Sequence, residues 1–138
     1  MYSWLVGLLV RRGFRKINAG DASGALDMFA ADAHFVFPGR HSFAADLRDP
    51  EQIRAWFERF VGLGPHFVIK DVIASGPPWN MRIGVRFSDR IALPDGGDYR
   101  NEGMQYAQLR WGRIYLDQIF LDTQAVADAD PLLSAATA

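Results

Sequence analysis

No cysteine occurs among the 138 residues of the chain, and histidine occurs only three times. The lack of cysteine excludes disulfide bonds, thiolate nucleophiles and cysteine-ligated zinc, and it is typical of a reducing compartment, so we expect a cytoplasmic protein. The three histidines do not have the spacing of metal ligands. The sequence therefore predicts no metal site, and no motif in it indicates a cofactor.

The sequence also lacks an excess of either charge. Lys and Arg number 15, Asp and Glu number 16, and the formal net charge is -1. Because proteins hold a phosphate backbone mainly through positive charge, this balance argues against a nucleic-acid partner.

A long hydrophobic run is missing as well. The apolar part of the opening segment MYSWLVGLLVRRGFRK is far shorter than the ~20 residues that span a bilayer, and its positive charges follow it, unlike those of a signal peptide. We therefore expect no membrane insertion and predict a first helix. Its core-facing stripe consists of Val6, Val10, Phe14 and Ile17. Trp4, Leu5 and Leu8 lie off that stripe and are expected to contact a partner subunit or the rim of a cavity.

The composition that remains is that of one globular domain over residues 1–138, with 49% hydrophobic and 22% charged residues. In the segment KINAGDASGALDMFAADAHFVFP, Gly20 is expected to end the first helix and Asp21 to cap a second one. Leu26, Phe29 and Ala30 are predicted to form the buried side of that second helix. AHFVFP then alternates as a strand, with Phe35 and Phe37 on one face.

The segment DPEQIRAWFERFV gives the strongest helix signal, with Asp49 as its cap and Pro50 at its first position. After it the period changes to two, and four strands are predicted: HFVIKDVIAS, MRIGVRFSDRIAL, YRNEGMQYAQLRW and RIYLDQIFLD. Helices followed by long strands predict an α+β fold, in which a curved antiparallel sheet carries three N-terminal helices over its concave face. The tail ADADPLLSAATA is expected to be a frayed helix end, docked by Leu132 and Leu133.

The order of NAGD…ALDMFAADAHFVFP near the start and GRIYLDQIFLDTQAVAD near the end resembles the SnoaL-like branch of the superfamily named after nuclear transport factor 2. That superfamily includes ketosteroid isomerase, limonene epoxide hydrolase and polyketide cyclases. The resemblance implies a cone-shaped scaffold with a deep apolar pocket, but it does not imply one reaction, because the same scaffold serves enzymes and non-enzymes.

The resemblance also shows which catalytic groups of the superfamily are missing. The general base of ketosteroid isomerase corresponds to Phe37, and its oxyanion-donating Tyr corresponds to Gly13. The Asp that completes the oxyanion hole falls at or near Gln105, whose amide can still donate a hydrogen bond. The last-strand Asp of the cyclases and of the epoxide hydrolase corresponds to Ile119. The epoxide hydrolase Arg-x-Asp pair corresponds to RFS, which retains Arg86 but has Ser88 in place of the acid.

One carboxylate, that of Asp117, is a candidate catalytic group. If Ile119 faces the pocket, strand alternation turns Tyr115, Asp117 and Leu121 the same way. In an apolar cavity the pKa of Asp117 would rise, so that it could act as a general base near neutral pH, oriented by Arg86 and Gln105. The alternative is that Arg86 and Asp117 form an ion pair with a structural role only.

The remaining predicted pocket residues are apolar. They are Phe35, Phe37, Trp56, Phe57, Tyr115, Ile119 and Leu121. Such a lining favours a flat or cyclic hydrophobic ligand, although packing in the core accounts for part of it. We therefore expect a homodimer, formed through the convex sheet face, that binds a small apolar molecule. It is either an isomerase, cyclase or hydrolase that uses Asp117, or a ligand-binding or assembly module without turnover.

Overall fold

The computed structural model of the protein describes residues 2–137, which form four helices and six strands. In chain order these are α1 (Tyr2–Asn18), α2 (Ser23–Leu26), β1 (Phe29–Phe37), β2 (Ala45–Leu47), α3 (Pro50–Val61), β3 (His66–Ser75), β4 (Met81–Ala92), β5 (Asp98–Arg110), β6 (Arg113–Leu121) and α4 (Thr123–Ala136). Within residues 2–137, no helix is both long and apolar enough to cross a bilayer.

The strands form one curved sheet in the order β2-β1-β6-β5-β4-β3, and the predicted α+β class is confirmed. The prediction of a purely antiparallel sheet needs a correction, because β1 pairs with β6 in parallel. The four long strands after α3 begin and end close to their predicted positions. The short strand β2, which pairs with the end of β1, was not predicted.

Local signals fixed the turns between the first elements. Gly20 has φ of 84°, a left-handed conformation that favours glycine, and the Asp21 carboxylate accepts a hydrogen bond from the Ser23 amide at 2.9 Å. The second helix ends at Leu26, so the prediction that Phe29 and Ala30 lie on it is wrong; both belong to β1. The hydrophobic pattern around Phe29 and Ala30 fits the period of a helix as well as that of a strand. Pairing with β6 makes the segment a strand, since Phe29 lies opposite Ile114.

The predicted stripe of α1 packs toward the sheet: Val6, Val10 and Ile17 are buried, while Trp4, Leu5 and Leu8 are exposed. Gly13 is buried where α1 crosses α2. A Cβ atom at Gly13 would lie 2.5 Å from the Gly24 carbonyl oxygen, so only glycine allows this close approach. The position that corresponds to the oxyanion-donating Tyr of ketosteroid isomerase is therefore used here for helix packing.

The C-terminal segment is a helix of 14 residues rather than a frayed end. Asp122 caps it by accepting hydrogen bonds from the amides of Gln124 and Ala125. Val126 and Leu133 are buried in the same hydrophobic cluster as Phe35 and Phe57. The helix therefore covers part of the inner face of the sheet, opposite the end that α1 covers.

Candidate functional site

A cavity of about 100 Å³ lies between the inner face of the sheet and the helices. Its lining is mostly aromatic and aliphatic. Of the predicted pocket residues, Phe35, Phe37, Trp56, Phe57, Ile119 and Leu121 line it, as do Asp117 and Gln105. Its volume is of the order of a cavity that holds one benzene molecule.

Aromatic rings form one wall of the cavity. The centroid of the Trp56 ring lies 4.6 Å from that of Phe35, 5.2 Å from that of Phe37 and 4.9 Å from that of Phe57. The Trp56 indole N–H donates to the Phe43 carbonyl oxygen at 2.8 Å, so the residue offers a ligand its apolar ring and not its donor.

Asp117 is the polar centre of the wall formed by β5 and β6. Its side chain is buried, with 2% of the residue exposed, and the Gln105 amide nitrogen Nε2 donates a hydrogen bond of 2.7 Å to its Oδ1 atom. Burial raises the pKa of Asp117 to about 7, and the hydrogen bond from Gln105 opposes this rise in part. A carboxyl group with such a pKa exchanges a proton readily near neutral pH.

Two predicted residues do not reach the cavity. Arg86 is exposed, because the inward residues of β4 are the odd-numbered ones from Met81 to Ile91. The expected Arg86–Asp117 pair is therefore wrong, both as a catalytic arrangement and as an ion pair.

Tyr115 also points away from the cavity, and a β-bulge is the reason. Leu109 pairs with Ile114 and Gln108 pairs with Leu116, so Tyr115 is the extra residue in β6. Ile114 takes its place in the lining, and the Tyr115 hydroxyl donates to the Asn80 side-chain oxygen at 3.3 Å. The expectation that every odd-numbered residue of β6 faces inward holds only after the bulge.

The structure adds two polar residues that the sequence interpretation missed, Asp89 and Tyr99. Both line the cavity and both are buried. Burial raises the pKa of Asp89 to about 7, and a hydrogen bond from its own backbone amide opposes this rise in part. Burial and the neighbouring charge of Asp89 raise the pKa of Tyr99. The apolar alternation of Met81, Ile83, Val85 and Phe87 could have identified Asp89, since it continues the same face.

The histidines lie outside this arrangement. His41 bonds through Nε2 to the Pro38 carbonyl oxygen and accepts a hydrogen bond at Nδ1 from the Phe43 amide, so both ring nitrogens serve the loop before β2. His34 lies on the other face of β1 and pairs with Asp46. In the described part of the chain, no group of three or more His, Cys, Asp or Glu residues is arranged to hold a metal ion.

A curved sheet that encloses an apolar cavity together with its helices defines a class of α+β scaffold. The sequence model of the SnoaL-like domain matches residues 10–116, and the chain belongs to that family. A search of curated proteins gives no match.

Several solved structures share the fold. Bal32a, from a soil-derived mobile gene cassette, is 22% identical with a TM-score of 0.78, over 96% of this chain and 99% of that one. TerC, co-crystallised with polyporic acid, is 14% identical with a TM-score of 0.76, over 94% and 98%. SalBIII, described as an epoxide hydrolase/cyclase-like enzyme in pyran ring formation in the polyether salinomycin, is 17% identical with a TM-score of 0.74, over 88% and 94%. At these identities the likeness concerns the fold alone.

Proposed function

We propose that the protein binds a small hydrophobic molecule in the cavity and that Asp117 acts on it as a general base, in a reaction of the isomerase, cyclase or hydrolase type. The observation that carries the proposal is the burial of Asp117 in an apolar lining, with Oδ1 held by Gln105. This leaves Oδ2 as the oxygen that would take the proton of the substrate.

The environment of Asp117 suits a base that works near neutral pH. The ionised carboxylate loses its hydration on burial, which raises its affinity for a proton, while the Gln105 amide fixes its orientation and stabilises the ionised form. Because Arg86 is exposed, Gln105 is the partner that remains for this role. No cofactor enters the proposed reaction.

The aromatic wall supports a flat or cyclic ligand. The rings of Phe35, Phe37 and Phe57 pack at an angle against Trp56, and Ile119 and Leu121 extend the hydrocarbon surface from β6. Such a surface binds through area removed from water and through ring contacts, and it gives orientation only where a polar group interrupts it. Asp117 is one such polar group.

The second candidate is a ligand-binding or assembly module of the same fold without turnover. Phe37, Gly13 and Ile119 occupy positions where members of the superfamily carry catalytic groups, and none of the three can exchange a proton. In that case Asp117 and Gln105 would orient a bound molecule and would not transform it.

A binding and turnover experiment separates the two candidates. A small hydroxy-epoxide that can close to a pyran ring, chosen from the description of SalBIII, serves as the probe. Binding is followed by Trp56 fluorescence in a background where Trp4, Trp79 and Trp111 are changed to Phe, and turnover of the epoxide by mass spectrometry. Product formed by the parent and by exposed control Asp71→Asn, but not by Asp117→Asn, supports catalysis. Binding without turnover in all three supports the module, and equal turnover in all three would show that Asp117 is not the base.

The homodimer through the convex face remains part of the proposal. Ile73 and Phe120 lie on that face with 58% and 51% of their surfaces exposed, and a contact between two sheets would cover them. Light scattering should show a dimer for the parent and a monomer for Ile73→Glu with Phe120→Glu. A parent monomer at micromolar concentration would contradict this part.

The cysteine-free composition supports a reducing compartment such as the cytoplasm.

A further inference from the structure

Asp89 is a buried carboxyl group whose hydrogen bonds are incomplete. It extends inward from β4, only 7% of the residue is exposed, and it lines the cavity. Within residues 2–137, no protein group bonds to its Oδ1 atom. Buried polar atoms nearly always have a partner, because an unpaired one loses its bonds to water without replacement.

The neighbouring side-chain amide of Asn101 is already committed elsewhere. The Asn101 amide nitrogen donates to the Tyr99 hydroxyl oxygen at 2.8 Å and to the Asp122 carbonyl oxygen at 2.9 Å. Its carbonyl oxygen accepts from the amides of Glu102 and Asp122. Asn101 therefore holds the junction between β5 and α4 together and has no donor left for Asp89.

Asp89 is also remote from the proposed base. Across the sheet, Asp117 lies opposite Ala107, which lies opposite Ile83. From Ile83 to Asp89 the chain advances six residues along β4, about 20 Å of strand at roughly 3.3 Å per residue. The two carboxyl groups are therefore not a pair that shares a proton, and they mark two separate regions of one cavity.

Resting on the proposed binding of an apolar molecule in the cavity, we infer that Asp89 forms a second polar subsite, in the region remote from Asp117, which accepts a hydrogen bond from a hydroxyl group on a single-ring apolar ligand. Oδ1 can accept this bond whether Asp89 is ionised or carries its proton on Oδ2. On the cavity side, the nearest residues along the sheet are Phe67, Phe87 and Ile91, which are apolar, so a neutral hydroxyl fits there better than an ammonium group. The ligand class is thus a hydroxylated aromatic or alicyclic compound of about one ring, which matches the volume of the cavity.

The test compares phenol with toluene, which has nearly the same shape but no donor. Dissociation constants are measured by NMR titration for the parent, Asp89→Leu and Asp117→Leu. The ratio of the toluene Kd to the phenol Kd should fall about tenfold or more in Asp89→Leu, as expected for loss of a bond to a carboxyl group, and should stay within about twofold in Asp117→Leu. Because the ratio is compared between proteins, the different hydration of the two probes cancels.

Two outcomes would overturn the inference. An unchanged ratio in Asp89→Leu would mean that water satisfies Oδ1, and a fall confined to Asp117→Leu would mean that the hydroxyl group binds at the other carboxylate. Should Asp89→Leu not fold, Asp89→Ala takes its place, and contacts between phenol and Tyr99 in the parent locate the bound ring. Turnover by Asp117 is measured separately, so its failure leaves this ratio unaffected, and an unchanged ratio leaves the proposed base untouched.

Discussion

Asp117 and Asp89 are both buried carboxyl groups of one apolar cavity, but they differ in their partners. Gln105 donates to Asp117, whereas Asp89 Oδ1 has no donor in residues 2–137. Burial raises both pKa values to about 7. A carboxylate held by a side-chain amide is oriented for a reaction, and a carboxyl oxygen without a donor is available for binding, so similar burial supports two different roles.

The largest effect is expected at Asp117. Asp117→Asn keeps the shape of the side chain and removes the proton acceptor, so turnover of a substrate should fall about 10³-fold, within the range of general-base catalysis. Steady-state kinetics would measure this, with Asp71→Asn as the control on the exposed face. A loss below tenfold would mean that Asp117 is not the base.

The second effect concerns stability at Asp89. A folded pKa raised from 3.8 to about 7 means that the native state retains a proton that the unfolded chain releases, so stability decreases as the pH rises between these values. The difference corresponds to at most about 4 kcal/mol, and we expect Asp89→Asn to increase the free energy of unfolding by about 2 kcal/mol at pH 8 and by less at pH 5. Urea denaturation at both pH values would measure it. A gain that does not depend on pH would show that the ionisation of Asp89 is not its cause.

A third, smaller effect is expected at Gln105, which donates a hydrogen bond to Asp117 and not to Asp89. Gln105→Leu removes the donor to the ionised form of Asp117, so its pKa should rise further and the pH at which turnover reaches half its maximum should increase by about one unit. Turnover requires the ionised base, so the rate should still recover at higher pH. A pH profile identical to that of the parent would remove Gln105 from the site.

The smallest effect is expected at Arg86. Because its side chain is exposed on the face opposite the cavity, Arg86→Gln should change turnover by less than about twofold and stability by less than about 0.5 kcal/mol. Phe87→Ala, one residue further along and buried, should lose about 3 kcal/mol or more. Equal effects at the two positions would contradict the assignment of the faces of β4.

Strands β4 and β6 show how much of the site could be predicted from the sequence. On β4 the alternation is unbroken, and Met81 to Phe87 identify the inward face on which Asp89 lies; the error over Arg86 came from giving the resemblance more weight than this pattern. On β6 the alternation predicted Asp117, Ile119 and Leu121 as neighbours in the lining. It could not predict that Tyr115 is displaced, because a bulge depends on pairing with β5 and has no residue signature here.

Other differences also arise from long-range pairing. The parallel pairing of β1 with β6 and the three-residue strand β2 depend on partners far along the chain, which a local pattern does not contain. By contrast, Gly20, Asp21 and the Asp49–Pro50 helix start are local signals, and each takes its predicted role. The scaffold was therefore more predictable than the lining.

The most direct test of the account is an NMR titration of the aspartate carboxyl carbons. In the parent protein two side chains should titrate near pH 7, one of which disappears in Asp117→Asn and the other in Asp89→Asn. Titration of the Asp117 carboxyl near 4, the ordinary value of a hydrated aspartate, would contradict the account, because Asp117 would then be neither desolvated nor tuned to act as a base at neutral pH.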